Sequence, residues 1–167
     1  VFLIEILMIR LDLFLSLDLN NENPQWKTLP KLPMALANSV AVAQNDKNGT
    51  NIYVIGGRTK TPSGISDLHN TTFVFNFKKQ SWESVAEISD GKNTTNFSAG
   101  AGVAVGDHSI LIVGGDNGTI FHKIETFLSQ IAQTDSPEEK AKLATEKNKL
   151  NTNHDGFYKA ILLYNTL

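Results

Sequence analysis

One phrase occurs twice in this chain, Asn51-Ile-Tyr-Val-Ile-Gly-Gly57 and Ser109-Ile-Leu-Ile-Val-Gly-Gly115. Each copy is a β-branched and aromatic run that stops on a Gly-Gly pair, and the copies lie 58 residues apart, counted from Gly57 to Gly115. A fixed long period is the mark of a repeat architecture. A second phrase keeps the same step. Leu13-Phe-Leu-Ser-Leu-Asp-Leu19 and Thr71-Thr-Phe-Val-Phe-Asn-Phe77 place Asp18 and Asn76 58 residues apart, and Ala160-Ile-Leu-Leu-Tyr-Asn165 is a third version. A tryptophan follows the first two versions, as Trp26 and as Trp82.

The unit therefore reads as a small-residue strand, a strand ending in Gly-Gly, a loop, a strand ending in Asp or Asn, a turn and a Trp strand. Four short β runs bounded by Gly, Asn, Asp and Pro are all-β patterning. With a Gly-Gly and a Trp in each unit, they describe a blade of a Kelch-type β-propeller. Glycine after the second strand lets the backbone turn where side chains would crowd. The tryptophan supplies a large apolar body to wedge one blade against the next. The expected fold is all-β: a partial propeller of about two four-stranded blades plus part of another, over residues 12–167.

One stretch breaks the period. After Gly115 the third strand does not come until about Ala160. Between them Ile124, Phe127, Leu128 and Ile131 fall at i, i+3, i+4 and i+7, the apolar stripe of a helix. Ser136-Pro-Glu-Glu139 reads as a capping box with proline at the first helical position. The pattern predicts a helical hairpin inserted at about 119–157 and laid over a propeller face.

Composition excludes several classes. Net charge is −2 over 167 residues, so no basic face drives binding to nucleic acid or to anionic membranes. Cysteine is absent, which removes disulfides and thiolate chemistry. The apolar opening, residues 1–12, is interrupted by Glu5, Arg10 and Asp12, with no basic residue before the run and no small-residue cleavage site. It reads as neither a signal nor a membrane span, and the expectation is a chain that begins inside a longer protein. His69, His108, His122 and His154 have no metal-ligand spacing, and no phosphate loop or nucleophile elbow is present, so neither a metal nor a cofactor is expected. Five Asn-x-Ser/Thr sequons, at Asn48, Asn70, Asn93, Asn96 and Asn117, read as turns in an Asn- and Thr-rich chain.

Several of these stretches resemble the Kelch-type N-acetylneuraminate epimerases, or sialic acid mutarotases, including the cyclically permuted form. They are Asp18-Leu-Asn-Asn21, Trp26 to Pro33, Ile55 to Leu68, Ser98 to Val105 and, most specifically, Gly114-Gly-Asp-Asn-Gly-Thr-Ile-Phe-His-Lys-Ile-Glu-Thr126 with the insertion behind it. Val1 to Leu11 departs from the family. The resemblance implies a six-bladed ring about twice this length, a periplasmic or secreted location, and free sialic acid as the small-molecule partner. It implies interconversion of α and β anomers by general acid–base ring opening. The family's proposed catalytic pair, a Glu directly after a Gly and an Arg shortly beyond, has no match here, so no catalytic residue is assigned.

Four residues are candidates for substrate binding. Arg58 follows Gly56-Gly57 and either lines the central channel to meet a carboxylate or pairs with a neighbouring blade. Lys60 is a weaker second cation. Asn38 and Asn96 precede the small-residue strands, where an amide either meets sugar hydroxyls or satisfies loop backbone. Asp116 follows the second Gly-Gly, and as Asp116-Asn-Gly118 it reads first as a turn signal. Two rivals stand beside the enzyme: a non-catalytic Kelch module that binds a protein or glycan, and a Kelch-like sugar oxidase, whose metal ligands have no counterpart here. Oligomeric state is open.

Overall fold

The computed structural model of the chain describes residues 12–89, 92–153 and 158–167. The opening segment 1–11 and the insertion's end, with His154, Gly156 and Phe157, lie outside these residues. The 58-residue period becomes a series of antiparallel sheets. Strands β1 (Phe14–Leu17) and β2 (Trp26–Leu29) form a two-stranded sheet. Four strands, β3 (Val40–Asp46), β4 (Gly49–Ile55), β7 (Thr72–Asn76) and β8 (Ser81–Val85), form a complete blade in that order. Between β4 and β7 a small hairpin projects, β5 (Arg58–Lys60) with β6 (Ser66–Leu68). The next unit supplies β9 (Ser98–Val105), β10 (Ser109–Asp116) and β11 (Leu162–Asn165), paired β11-β10-β9.

Alternation explains the packing. In β3, Val40, Val42 and Gln44 are buried while Ala41 and Ala43 face out; in β4, Asn51, Tyr53 and Ile55 are buried. Val40, Val42, Tyr53 and Ile55 meet Ile110 and Ile112 of β10, with Val74, Ile88 and Phe97, in one core between the two blades. Gly102 of β9 lies against Val40 and Val42, and a Cβ there would overlap the Val40 Cγ1 methyl. The first strands of successive blades thus approach closely through a glycine, as the inner strands of a propeller must. All of β7 is buried, because Val74 joins this core while Phe75 turns to the other face. There Phe75 meets Phe14 and Trp82 at ring-centroid distances of 4.9 and 5.3 Å.

The fold is a partial β-propeller: two outer strands of one blade, a whole blade, and three strands of the next. The tryptophans behave differently from the expected shared wedge. Trp82 packs on Phe14 of the preceding blade and donates its indole N–H to Pro30 O at 2.9 Å. Trp26 is 68% exposed, because the face it presents has no blade against it among the described residues.

The insertion is two helices, α1 (Thr119–Gln133) and α2 (Pro137–Asn153). Half of the expected capping box forms: the Ser136 hydroxyl accepts from the Glu139 N–H at 3.3 Å, with Pro137 at the first helical position. α1 contacts the propeller through Phe121, Glu125 and Ser129. Phe127 of the apolar stripe lines a groove with Leu150 of α2. The face of α1 turned to the blade carries Phe121, over Arg58, and Glu125, bonded to Ser66. No residue of α2 is buried. Among the described residues no helix is long and apolar enough to cross a membrane.

Candidate functional site

The start of each inner strand pairs with the end of the second strand, Val40 with Ile55 and Ser98 with Asp116. That register brings the residues before β3 and β9 and those after β4 and β10 to one end of the sheets. Arg58, Asn38, Asn96 and Asp116 all stand there.

Main-chain bonds between their immediate neighbours join them. Ala37 and Arg58 exchange both backbone bonds at 2.9 Å. Gly57 N–H donates to Phe97 O at 2.7 Å, across the blade boundary, and Phe97 N–H donates to His69 O at 3.0 Å. Asn38 takes the left-handed conformation at φ 58°, and its carbonyl accepts from Ala99 N–H at 2.9 Å. The Gly-Gly pair makes this crossing possible. A Cβ on Gly56 would strike Phe97 O and one on Gly57 would strike Ser39 Oγ, with φ of 61° and 106°.

Arg58, Asn38 and Asn96 are thus held around one blade boundary, with both amides exposed and Arg58 partly so. Among the described residues the Arg58 guanidinium has no carboxylate partner. It lies over the Phe121 ring of α1 with Cζ 4.1 Å from the centroid, a cation–π contact. Asp116 has a local partner. Its Oδ1 accepts from Gly118 N–H at 2.7 Å, and Asn117 Oδ1 accepts from Thr119 N–H at 3.0 Å, so both shape the entry to α1. The Asp116 charge is also felt by Tyr158, whose phenol is pushed up from its ordinary pKa by burial first and by Asp116 second. Lys60 is exposed at the end of β5.

Other residues of this end were given no role by the sequence. Glu125 of α1 is buried, its two carboxylate oxygens accepting from the Ser66 N–H and the Ser66 hydroxyl at 2.7 Å each. The His69 ring is 3.0 Å from Thr59 Oγ1 across the β5–β6 hairpin. Phe97 lies parallel to Tyr158, planes 4° apart. Among the described residues no three His, Asp or Glu side chains gather as metal ligands. Chemically, this end offers a partly exposed guanidinium on an aromatic seat, with two exposed carboxamides at the same blade boundary.

Two curated relatives named N-acetylneuraminate epimerase, from Haemophilus influenzae strains PittEE and 86-028NP, are each 28% identical over 111 residues, 66% of this chain and 28% of the relative. The chain therefore spans under a third of the length of these relatives. A solved structure of YjhT superposes with a TM-score of 0.67 at 17% identity, covering 92% of this chain and 42% of that one, and so shares the fold. The model of the family described as N-acetylneuraminate epimerase matches residues 10–166, nearly the whole length, and the chain belongs to that family.

Proposed function

We propose that this chain is part of a sialic acid mutarotase, which interconverts the α and β anomers of N-acetylneuraminate by general acid–base ring opening. Its own share is to hold the sugar acid. The observation that carries this reading is the convergence of Arg58, Asn38 and Asn96 at one blade boundary, with Arg58 lacking a carboxylate among the described residues. A guanidinium fork matches a carboxylate with two parallel N–H bonds. The carboxamides of Asn38 and Asn96 supply donors and acceptors for ring hydroxyls. Asp116, engaged with the Gly118 N–H, serves the loop that carries α1. The proton transfers belong to residues outside this chain, since no Glu after a Gly with a following Arg occurs in it.

The test is proton NMR of freshly released α-anomeric N-acetylneuraminate with the complete protein. β-anomer should appear faster than in buffer, and Arg58→Ala should raise KM at least about tenfold, the loss expected for a charge-assisted pair. An unchanged rate of β-anomer appearance at micromolar protein sinks the mutarotase reading.

A further inference from the structure

We infer that the helical insertion is a positioning device for Arg58, with Phe121 as the residue that orients its guanidinium for a carboxylate ligand. The inference rests on the reading of Arg58 as the carboxylate contact and adds to it the element that sets that contact's geometry.

An arginine at the mouth of a loop has about 2 kcal/mol of rotamer freedom to lose when it grips a ligand. A flat aromatic seat removes much of that loss beforehand while leaving the N–H edge of the guanidinium plane available, since stacking uses the face. Phe121 provides the seat at 4.1 Å. The seat must itself be fixed, and one helical turn further on it is. Phe121 and Glu125 are i and i+4 on α1, hence on one face. Glu125 grips Ser66 through two bonds of 2.7 Å, and Ser66 lies in β6, directly paired with Arg58's strand β5. Arg58 pairs with Leu68 and Lys60 with Ser66, so the two contacts sit at the two ends of one short hairpin. The base of the helix lies close to the hairpin as well: a Cβ built on Gly118 would come within 3.1 Å of Leu68 Cδ1. The insertion breaks the blade period after Gly115, yet its first helix reaches back to the preceding blade's loop. A spacer with no task there would need neither the buried carboxylate nor the aromatic seat.

The experiment is a double-mutant cycle on the complete protein, read as kcat and KM for α-anomeric N-acetylneuraminate by NMR. Phe121→Leu is expected to raise KM about three- to tenfold with kcat little changed, the range of a partly exposed cation–π contact. Phe121→Trp should restore KM. In the Arg58→Ala background Phe121→Leu should have no further effect on KM. If Arg58→Ala leaves KM unchanged, the reading of Arg58 as the carboxylate contact fails. If Arg58→Ala raises KM but Phe121→Leu multiplies KM by the same factor in both backgrounds, or Phe121→Leu has no effect on it, the positioning role is overturned. Should the leucine variant not fold, Phe121→Tyr and Phe121→Trp carry the test: both keep the seat and are expected to keep KM within about twofold, while Arg58→Lys, which loses the fork, should not. A raised KM in both aromatic variants likewise overturns it.

Discussion

Glu125 and Ser66, 59 residues apart in sequence, are joined by two hydrogen bonds of 2.7 Å in a buried setting, one to the serine backbone and one to its hydroxyl. Removing the carboxylate would leave the Ser66 N–H and hydroxyl without their acceptor in the interior. Glu125→Ala is expected to destabilise the protein by about 2–3 kcal/mol, and Ser66→Ala, which keeps the backbone bond, by about 1 kcal/mol. Urea denaturation of the two variants checks the order. Equal losses would mean that the backbone bond contributes nothing.

The two tryptophans should part company. Trp82 is packed against Phe14 and Phe75 and hydrogen-bonded to Pro30 O, so Trp82→Ala should cost about 3–4 kcal/mol. Trp82→Phe keeps most of the packing and should cost about 1 kcal/mol for the lost bond. Trp26 is 68% exposed, and Trp26→Ala should stay within about 1 kcal/mol of the parent. Thermal melts of the three variants decide it, and a Trp26→Ala loss matching that of Trp82→Ala would show that a further surface covers β2.

These residues show where sequence reading stops. The strands of β4 and β10 were legible because a half-buried strand writes its burial every second residue, and the Gly-Gly turn marks its end. Arg58 was legible by its place after that turn. The β5–β6 hairpin was not: its strands Arg58-Thr-Lys60 and Ser66-Asp-Leu68 are three residues each and polar, and non-local bonds to Ala37 and Glu125 hold them. Glu125 was hidden for the same reason, since a lone Glu on a helix reads as a solvated face until its partner 59 residues away is in place. The tryptophans look equivalent in the repeat, and only the blade against Trp82 separates them. Apolar periodicity located α1 but not its contacts: Phe121 and Glu125 meet the blade, while Phe127 lines a groove with Leu150 of α2.

Single glycines of the Gly-Gly turns, Gly57 and Gly114, differ in what they tolerate. Gly57 has φ 106°, outside the left-handed helical well, and a Cβ there would meet Ser39 Oγ and Ala37 O. Gly114 has φ 69°, and nothing lies within 4 Å of the place a Cβ would take. Gly57→Ala should therefore cost more than about 2 kcal/mol, and Gly114→Ala about 1 kcal/mol, the left-handed penalty alone. Denaturant midpoints for the pair test the difference.

Tyr53 gives the fold an alkaline limit. Its side chain lies in the core between the blades, and its hydroxyl is 3.4 Å from Asp46 Oδ2, which also accepts from Asn51 Nδ2 at 3.0 Å. Burial first, and then the Asp46 charge, push the phenol pKa up to about 12. The folded state thus prefers the neutral phenol more than the unfolded chain does, where tyrosine titrates near 10. The sign follows from proton linkage: this contribution is whole below about pH 10 and is lost as pH climbs from 10 through 12, because the unfolded chain releases the proton first. Lysines titrate in the same window, and burial pushes Tyr158 and Tyr164 up as well, so the parent alone does not isolate the effect. The difference between parent and Tyr53→Phe does. Urea midpoints at pH 8, 10 and 11.5 should fall more steeply for the parent than for Tyr53→Phe, with the two curves converging above pH 10. Parallel curves would mean that Tyr53 ionises in the fold as readily as in the open chain.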